Sequence, residues 1–474
     1  MRFSLFAALF ALAAMRFSLV AALFALAAPV AAQTATTAYT GATLIDGTGN
    51  APIPASVVIV RDGRIVCAGT SAACQVPVGA QTIDVAGRWM TPGVVDAHVH
   101  YSQTGWADGR PDSYDARERF PYDRTIAWLR DPSRFYRSWL CSGVTATFDV
   151  GGYPWTWNLR ADAEMSPTAP HVSAAGPLLS TRDHWLNMPA ERQFIHIPSD
   201  SAVETGARYL IVNQTDAIKV WYLVGANAPD TAAWAHRIRI AGRMAADADV
   251  PLIVHATNLW GATRALEAGA RLLVHGVADQ PVDQGFLDLA KRNGTVYTPT
   301  LVVNDGYRQL RARDFDADRY EMTCVDPETR AKAFLTDSLP DRPDAALIQR
   351  TQQNAERQNA IDADNVRRVH AAGIPVAVGT DAGNPLTLHG PSIYLEMEAL
   401  QRAGLSTMQV IVAATRNGAL AMNRLDDFGT IEAGKIADFL ILEADPLTDI
   451  RNMRRLSTVV RAGVAHAKRD LEYR

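Results

Sequence analysis

The chain has 474 residues, 48% hydrophobic and 20% charged, with a formal net charge of −4. That length suits a large barrel plus a smaller unit. A slightly acidic balance without a basic tract gives no reason to expect nucleic acid as a partner, and leaves a soluble protein acting on a small molecule as the default.

Residues 1–32 read as a signal peptide, with a positive charge at Arg2 or Arg16, apolar runs, and Val30-Ala-Ala32 before Gln33 as a small-residue cleavage site. The segment is duplicated: 1–14 reads MRFSLFAALFALAA and 15–28 reads MRFSLVAALFALAA, so Met15 is the expected working start. Arg16 interrupts the apolar run, so neither half has the ~20 residues that a membrane span needs. Export to the periplasm or the exterior follows. The four cysteines, Cys67, Cys74, Cys141 and Cys324, are too few for a disulfide scaffold, and none has the CxxC spacing of a zinc site. Cys67 and Cys74 could pair across a hairpin in an oxidising compartment.

Residues 38–92 read as short strands with turns, among them Asp62-Gly63 between two apolar runs, a strong hairpin signal. Residues 425–470 carry the same pattern, at 437–442 and 458–460. Neither set closes a core alone, so one composite β-sandwich from both chain ends is the economical arrangement. Between them, 93–424 alternates strand and helix patterns. Strands are expected at 94–100, 144–150, 171–175, 217–222, 252–255, 271–275, 296–298 and 375–379, with helices such as 230–248 and 283–292 between them. Eight such strands argue for a (β/α)8 TIM barrel. Two connections are long: 101–140, rich in aromatics, and 301–370, strongly charged and helix-compatible. Each reads as a lid or substrate wall, or, for the second, as a solvated helical insertion.

Metal-ligand residues cluster at the ends of the expected strands. In Asp96-Ala-His98-Val-His100 the imidazoles are two residues apart and share one strand face. His255 closes Pro251-Leu-Ile-Val-His255, His275 closes Leu272-Leu-Val-His275, and Asp381 follows Val376-Ala-Val-Gly-Thr380. Lys219 is the informative residue. The chain has only five lysines (Lys219, Lys291, Lys332, Lys435, Lys468), and this one sits in the apolar run Ala217-Ile-Lys-Val-Trp-Tyr222. An ammonium there would repel nearby metals. A lysine carboxylated by carbon dioxide is an anion able to bridge two of them. The charge balance is then coherent: His98, His100 and Asp381 on one divalent ion, His255 and His275 on the other, and the Lys219 carbamate and a hydroxide between. Such N/O ligation suits zinc among other ions. A hydroxide available near neutral pH would attack a substrate carbonyl, with Asp381 moving the proton to the leaving group. No Gly-x-Ser-x-Gly elbow or phosphate loop competes with this reading.

These motifs resemble the amidohydrolase superfamily, in particular its binuclear, carboxylated-lysine members related to imidazolonepropionase and metal-dependent dipeptidases. The resemblance rests on Thr91-Pro-Gly-Val-Val-Asp-Ala-His-Val-His100, Gly143-Val-Thr145, Ala217-Ile-Lys219, Val254-His-Ala256, Val274-His-Gly276, Thr380-Asp-Ala-Gly383, His389-Gly390, Ala414-Thr-Arg-Asn-Gly-Ala419 and Gly429-Thr-Ile-Glu-Ala-Gly-Lys-Ile-Ala-Asp438. It implies hydrolysis of amide or related C–N bonds in a peptide-like or N-acyl substrate, and a homo-oligomer. It also implies a catalytic role for Tyr297, as a tyrosine aimed at the substrate carbonyl, and for His184, in the loop after the third strand. The chain departs from relatives that act on Xaa-Pro dipeptides: it has Thr181-Arg-Asp-His-Trp185 where they carry a Gly-rich stretch, and the aromatic run Tyr153-Pro-Trp-Thr-Trp157. Trp155 and Trp157 are candidates for an apolar substrate wall, or else pack the barrel mouth. His389 and Arg182 are further candidate substrate contacts, the latter through a carboxylate. His171, His196, His236, His370 and His466 read as structural or exposed. Other readings of the same site are hydrolysis of a cyclic amide, lactone or ester, a single-metal deaminase without the bridging lysine, and a silent binding protein.

Overall fold

The computed structural model describes residues 36–184 and 192–474; the proposed signal peptide lies outside them. Both chain ends contribute to one five-stranded sheet, in which Phe439–Leu442 pairs antiparallel with Trp89–Pro92 on one side and Leu456–Arg461 on the other. Thr37–Thr40, Ser56–Arg61, Arg64–Thr70 and Gln81–Asp84 form a four-stranded sheet. One apolar cluster joins the two sheets, with Tyr39, Val58 and Val60 from the second meeting Met90, Phe439 and Val460 from the first. The expected hairpin is present: Asp62 (φ 52°) and Gly63 (φ 72°) turn the chain between Ser56–Arg61 and Arg64–Thr70. Positive φ at both central residues is the backbone that matches the twist of a tight hairpin, and Asp-Gly tolerates it.

The middle of the chain is parallel β-structure with helices between the strands. Val94–Val99, Val144–Asp149 and His171–Ala174 pair in parallel. Leu178–Ser180, Ile218–Trp221, Leu252–His255, Leu272–Val274 and Val296–Thr298 form a second parallel ladder. Hydrogen bonds join the two at both margins. Asp216 N–H donates to Ala174 O at 3.2 Å, and residues 375–382 bridge the other side, with Ala377 N–H donating to Tyr297 O (2.9 Å) and Ala97 N–H to Val378 O (3.0 Å). These strands read as near-continuous apolar runs because both faces are buried.

The expected strand at 375–379 is irregular, held by an isolated bridge from Val376 to Tyr297. Its backbone is pressed against its neighbours: a Cβ on Gly379 would stand 2.3 Å from Thr298 and 2.8 Å from the His98 Cβ. Leu178–Ser180 and Phe194–His196 are strands that sequence patterning does not place, being three residues each. The helices expected at 230–248 and 283–292 form as Thr231–Asp247 and Gln284–Asn293, the second started by the Asp283 side chain accepting from Phe286 N–H. The charged stretch 301–370 folds into Val303–Ala312, Pro327–Ala333 and the long helix Ala345–Ala371.

All four cysteines are paired. Cys67–Cys74 closes beside the hairpin, with Cα atoms 5.7 Å apart. Cys141–Cys324, Cα atoms 5.4 Å apart, ties Ser133–Cys141 to the 301–344 segment across 183 residues. That separation is why spacing gave no hint of it. Among the described residues, no helix is long and apolar enough to cross a membrane.

Candidate metal centre

His98, His100 and Asp381 converge, with ligand atoms all within 4.8 Å of one another. Asp381 Oδ1 lies 3.2 Å from His98 Nε2 and 3.0 Å from His100 Nε2. His275 follows Leu272–Val274, and its ring centroid is 5.0 Å from that of His98 and 4.3 Å from that of His255. Lys219 and Trp221 alternate onto one face of Ile218–Trp221, and Trp221 is in register with His255. All six candidate ligands line a single cavity of about 320 Å³. The geometry therefore brings together every metal-ligand residue read from the sequence.

The surroundings orient these side chains. His100 Nδ1 sits 2.7 Å from Gly151 O, which leaves Nε2 for the cavity. His275 Nδ1 is 2.7 Å from Thr300 Oγ1. Asp96, fully buried, accepts from Thr380 Oγ1 (2.6 Å) and from the amides of Thr380 (3.0 Å) and His98 (3.3 Å), so it stitches the HxH strand to the turn that carries Asp381. Asp381 itself has φ 62°, a left-handed backbone that lifts its carboxylate out of the ladder.

Electrostatics separate this group from ordinary buried histidines. Burial, reinforced by the mutual repulsion of the group, pushes His98, His255 and His275 well below the usual imidazole range, so they are neutral and free to ligate. Burial also lowers Lys219 to about 7, against the pull of Asp381 and Asp149. Asp381 stays below the ordinary carboxylate range despite its burial, held there by His100, His275 and Lys219. Both ring nitrogens of His98, and Asp381 Oδ1, lack a hydrogen-bond partner among the described residues. Buried polar atoms so arranged call for an unseen partner, and the N/O donor set fits a divalent metal.

The other candidates fall outside the cavity lining. Tyr297 is corrected: its hydroxyl accepts the Val277 N–H at 2.8 Å and its ring packs edge-on against Phe286, so it ties its strand to the loop after His275 and does not line the cavity. The tyrosine that reaches the cavity is Tyr307, whose hydroxyl donates to Asn384 Oδ1 at 2.6 Å. His184 stacks on Trp221 with ring centroids 4.2 Å apart, one ring removed from the cavity that Trp221 lines. His389 is corrected from a substrate contact to a support: it is stacked on Phe135 at 3.9 Å, with Nε2 3.1 Å from His100 O. Trp155 stacks on Tyr153 and Trp157 packs against Tyr209 and Gly176, so both pack the core rather than wall the substrate. Arg182 is exposed and off the cavity. The arginine that lines it is Arg110, paired bidentately with Asp112 (both 2.8 Å) and donating to Asn384 Oδ1 at 2.7 Å. Sequence reasoning missed Arg110, Tyr307 and Asp362. Asp362 had a signal: it shares a helix face with Val366 and Val369, all three buried.

A model of the amidohydrolase family matches residues 89–465. Imidazolonepropionase of Acidiphilium cryptum (strain JF-5) is 26% identical over 429 residues, covering 85% of this chain and 91% of that protein. A crystallised Xaa-Pro dipeptidase with methionine bound in its active site superposes with a TM-score of 0.70 at 21% identity, over 91% of this chain and all of its own. Molinate hydrolase superposes with a TM-score of 0.66 at 23% identity, covering 92% of this chain and 95% of its own. The chain belongs to the amidohydrolase family. With that family it is a hydrolase acting on carbon–nitrogen bonds.

Proposed function

We propose that this protein is an exported, binuclear metal-dependent hydrolase that cleaves an amide bond in a peptide-like or N-acyl substrate, on a closed (β/α)8 barrel at 93–424 joined to a composite β-sandwich of 38–92 and 425–470. One observation carries the reading: Lys219 is buried among neutral imidazoles, with no described carboxylate paired to it. A neutral amine can add carbon dioxide, forming an N–C bond and releasing a proton, and the carbamate then supplies the anion the cluster needs. His98, His100 and Asp381 would hold one ion, His255 and His275 the other, and Lys219 would join them. Zinc is the expected metal. Bound there, the metal would supply water acidified to near neutrality and a polarised substrate carbonyl.

The chain's own residues do the rest. Asp381 accepts the proton of the attacking water and delivers it to the leaving nitrogen, while Asp96, through Thr380, fixes the turn that carries it. Trp221, Phe194 and Tyr307 give the cavity its apolar wall. Two disulfides support the export reading, since such bonds persist in oxidising compartments. The homo-oligomer implied by the family is checked by light scattering. The test of function is a screen of the zinc-loaded chain from Gln33 onward against dipeptides and N-acyl amino acids. Turnover that chelation removes and added zinc restores is the outcome this reading requires. Metal-independent turnover, or none in any amide class, would refute it.

A further inference from the structure

One side chain in the cavity has no part in the chemistry above. Asp362, on the helix Ala345–Ala371, lines the cavity and is 4% exposed. Its Oδ1 has no hydrogen-bond partner among the described residues, and no charged neighbour offsets its burial. The position is built. Asn365, one turn further along, locks the helix over the loop that follows His275: its amide nitrogen donates to Val277 O (2.7 Å) and Gln280 O (3.0 Å), and its Oδ1 accepts from Val282 N–H (2.8 Å). Gly276 leaves the space that the carboxylate occupies, since a Cβ there would stand 2.3 Å from Asp362 Oδ1. Apart from the candidate ligands, the charged side chains among the described cavity-lining residues are Arg110 and Asp362. Arg110 is already matched by Asp112. The side chain of the substrate chamber left without a partner is therefore an acid: burial raises its carboxyl to about 7, and a cation placed against it would hold it ionised.

We propose that Asp362 is a specificity residue that pairs with a positively charged nitrogen of the substrate, so that the enzyme selects peptide-like substrates with a free amino group over N-acylated ones. The inference rests on the reading of this cavity as the active site, and narrows it. A carboxylate only accepts hydrogen bonds, and an ammonium supplies three donors with opposite charge. Acylation removes the charge and leaves a single donor, while Asp362 stays buried and unpaired.

Isothermal titration of the zinc-loaded chain with leucinamide and with N-acetyl-leucinamide reads the pairing without turnover. Wild type should bind leucinamide about tenfold more tightly or better. Asp362→Asn, of the same shape, should bring the two ligands to within about threefold. Equal binding in wild type overturns the proposal. So does a preference that persists in Asp362→Asn, which would place amine recognition on the metals. Should that variant misfold by circular dichroism, Asp362→Ser repeats the comparison. Hydrolysis of a matched dipeptide and its N-acetyl form separates the two readings. Binding selectivity without turnover of either leaves Asp362 recognition standing and counts against the peptide-cleaving reading, and equal turnover of both does the reverse.

Discussion

Lys219 and Lys332 are both shut away from solvent, at 3% and 6% exposure, and are held in opposite ways. Lys332 lies 2.9 Å from Asp108 and 3.0 Å from Glu328, over the Trp128 ring, and ties the 327–333 helix to the 101–121 loop. Lys219 pairs with no described carboxylate and is pulled down to about 7 by burial. The histidines repeat the contrast. His171 sits between Glu164 (2.6 Å) and Asp438 (2.9 Å) where the strands from the chain ends meet the parallel ladder, and its pKa is raised. His98, His255 and His275 have lowered values. A buried cationic residue matched by carboxylates of its own is a structural tie. Lys219 has none among the described residues, and His98, His100 and His275 share the single carboxylate of Asp381, so this one cavity holds an unmet demand for a ligand.

The sharpest way to break this contrast is to exchange the two lysines' fates. Lys219→Ala should lower kcat/KM on the order of 10³-fold and reduce bound metal, read by elemental analysis, with the fold intact. Full activity in that variant would refute the binuclear site. Lys332→Met should leave metal content alone and cost about 3 kcal/mol in urea unfolding, because Asp108 is left buried without its partner.

The histidine contrast carries a pH signature. Burial opposes the His171 charge, but Asp438 and Glu164 outweigh it and raise its folded pKa. A raised pKa means stabilisation fully present below the unfolded value, near 6.5, and lost as pH rises through the folded value. His171→Gln should therefore cost about 2 kcal/mol at pH 5.5 and less at alkaline pH, in paired denaturation curves. A cost that grows with pH would contradict the assignment. The smallest effect concerns the two tyrosines: Tyr307→Phe should lower kcat/KM about tenfold, and Tyr297→Phe should change it by less than about threefold.

Much of the candidate centre was legible because ligand-type residues closing apolar runs fall together at strand ends. His98, His100, His255, His275 and Asp381 could be placed that way, Lys219 as a rare lysine inside such a run, and the paired chain ends from their turn chemistry. Tyr297 misled because a motif resemblance carries over a residue's position in the chain and not the direction of its side chain; its hydroxyl went to Val277 N–H. Arg110, Tyr307 and Asp362 reach the cavity from the long connections, whose course is set by tertiary ties such as Cys141–Cys324 and Asn365 to Val277. The charged stretch 301–370 reads as a solvated insertion by composition, yet Val303, Tyr307 and Asp362 make it part of the cavity wall.

A crystal structure of the zinc-loaded enzyme, with anomalous scattering to locate the ions, tests the central claim most directly. It should show two cations beside Asp381, with a carboxyl group grown on the Lys219 amine and one of its oxygens on each. A bare amine at that position with a single ion, or none, would contradict the account.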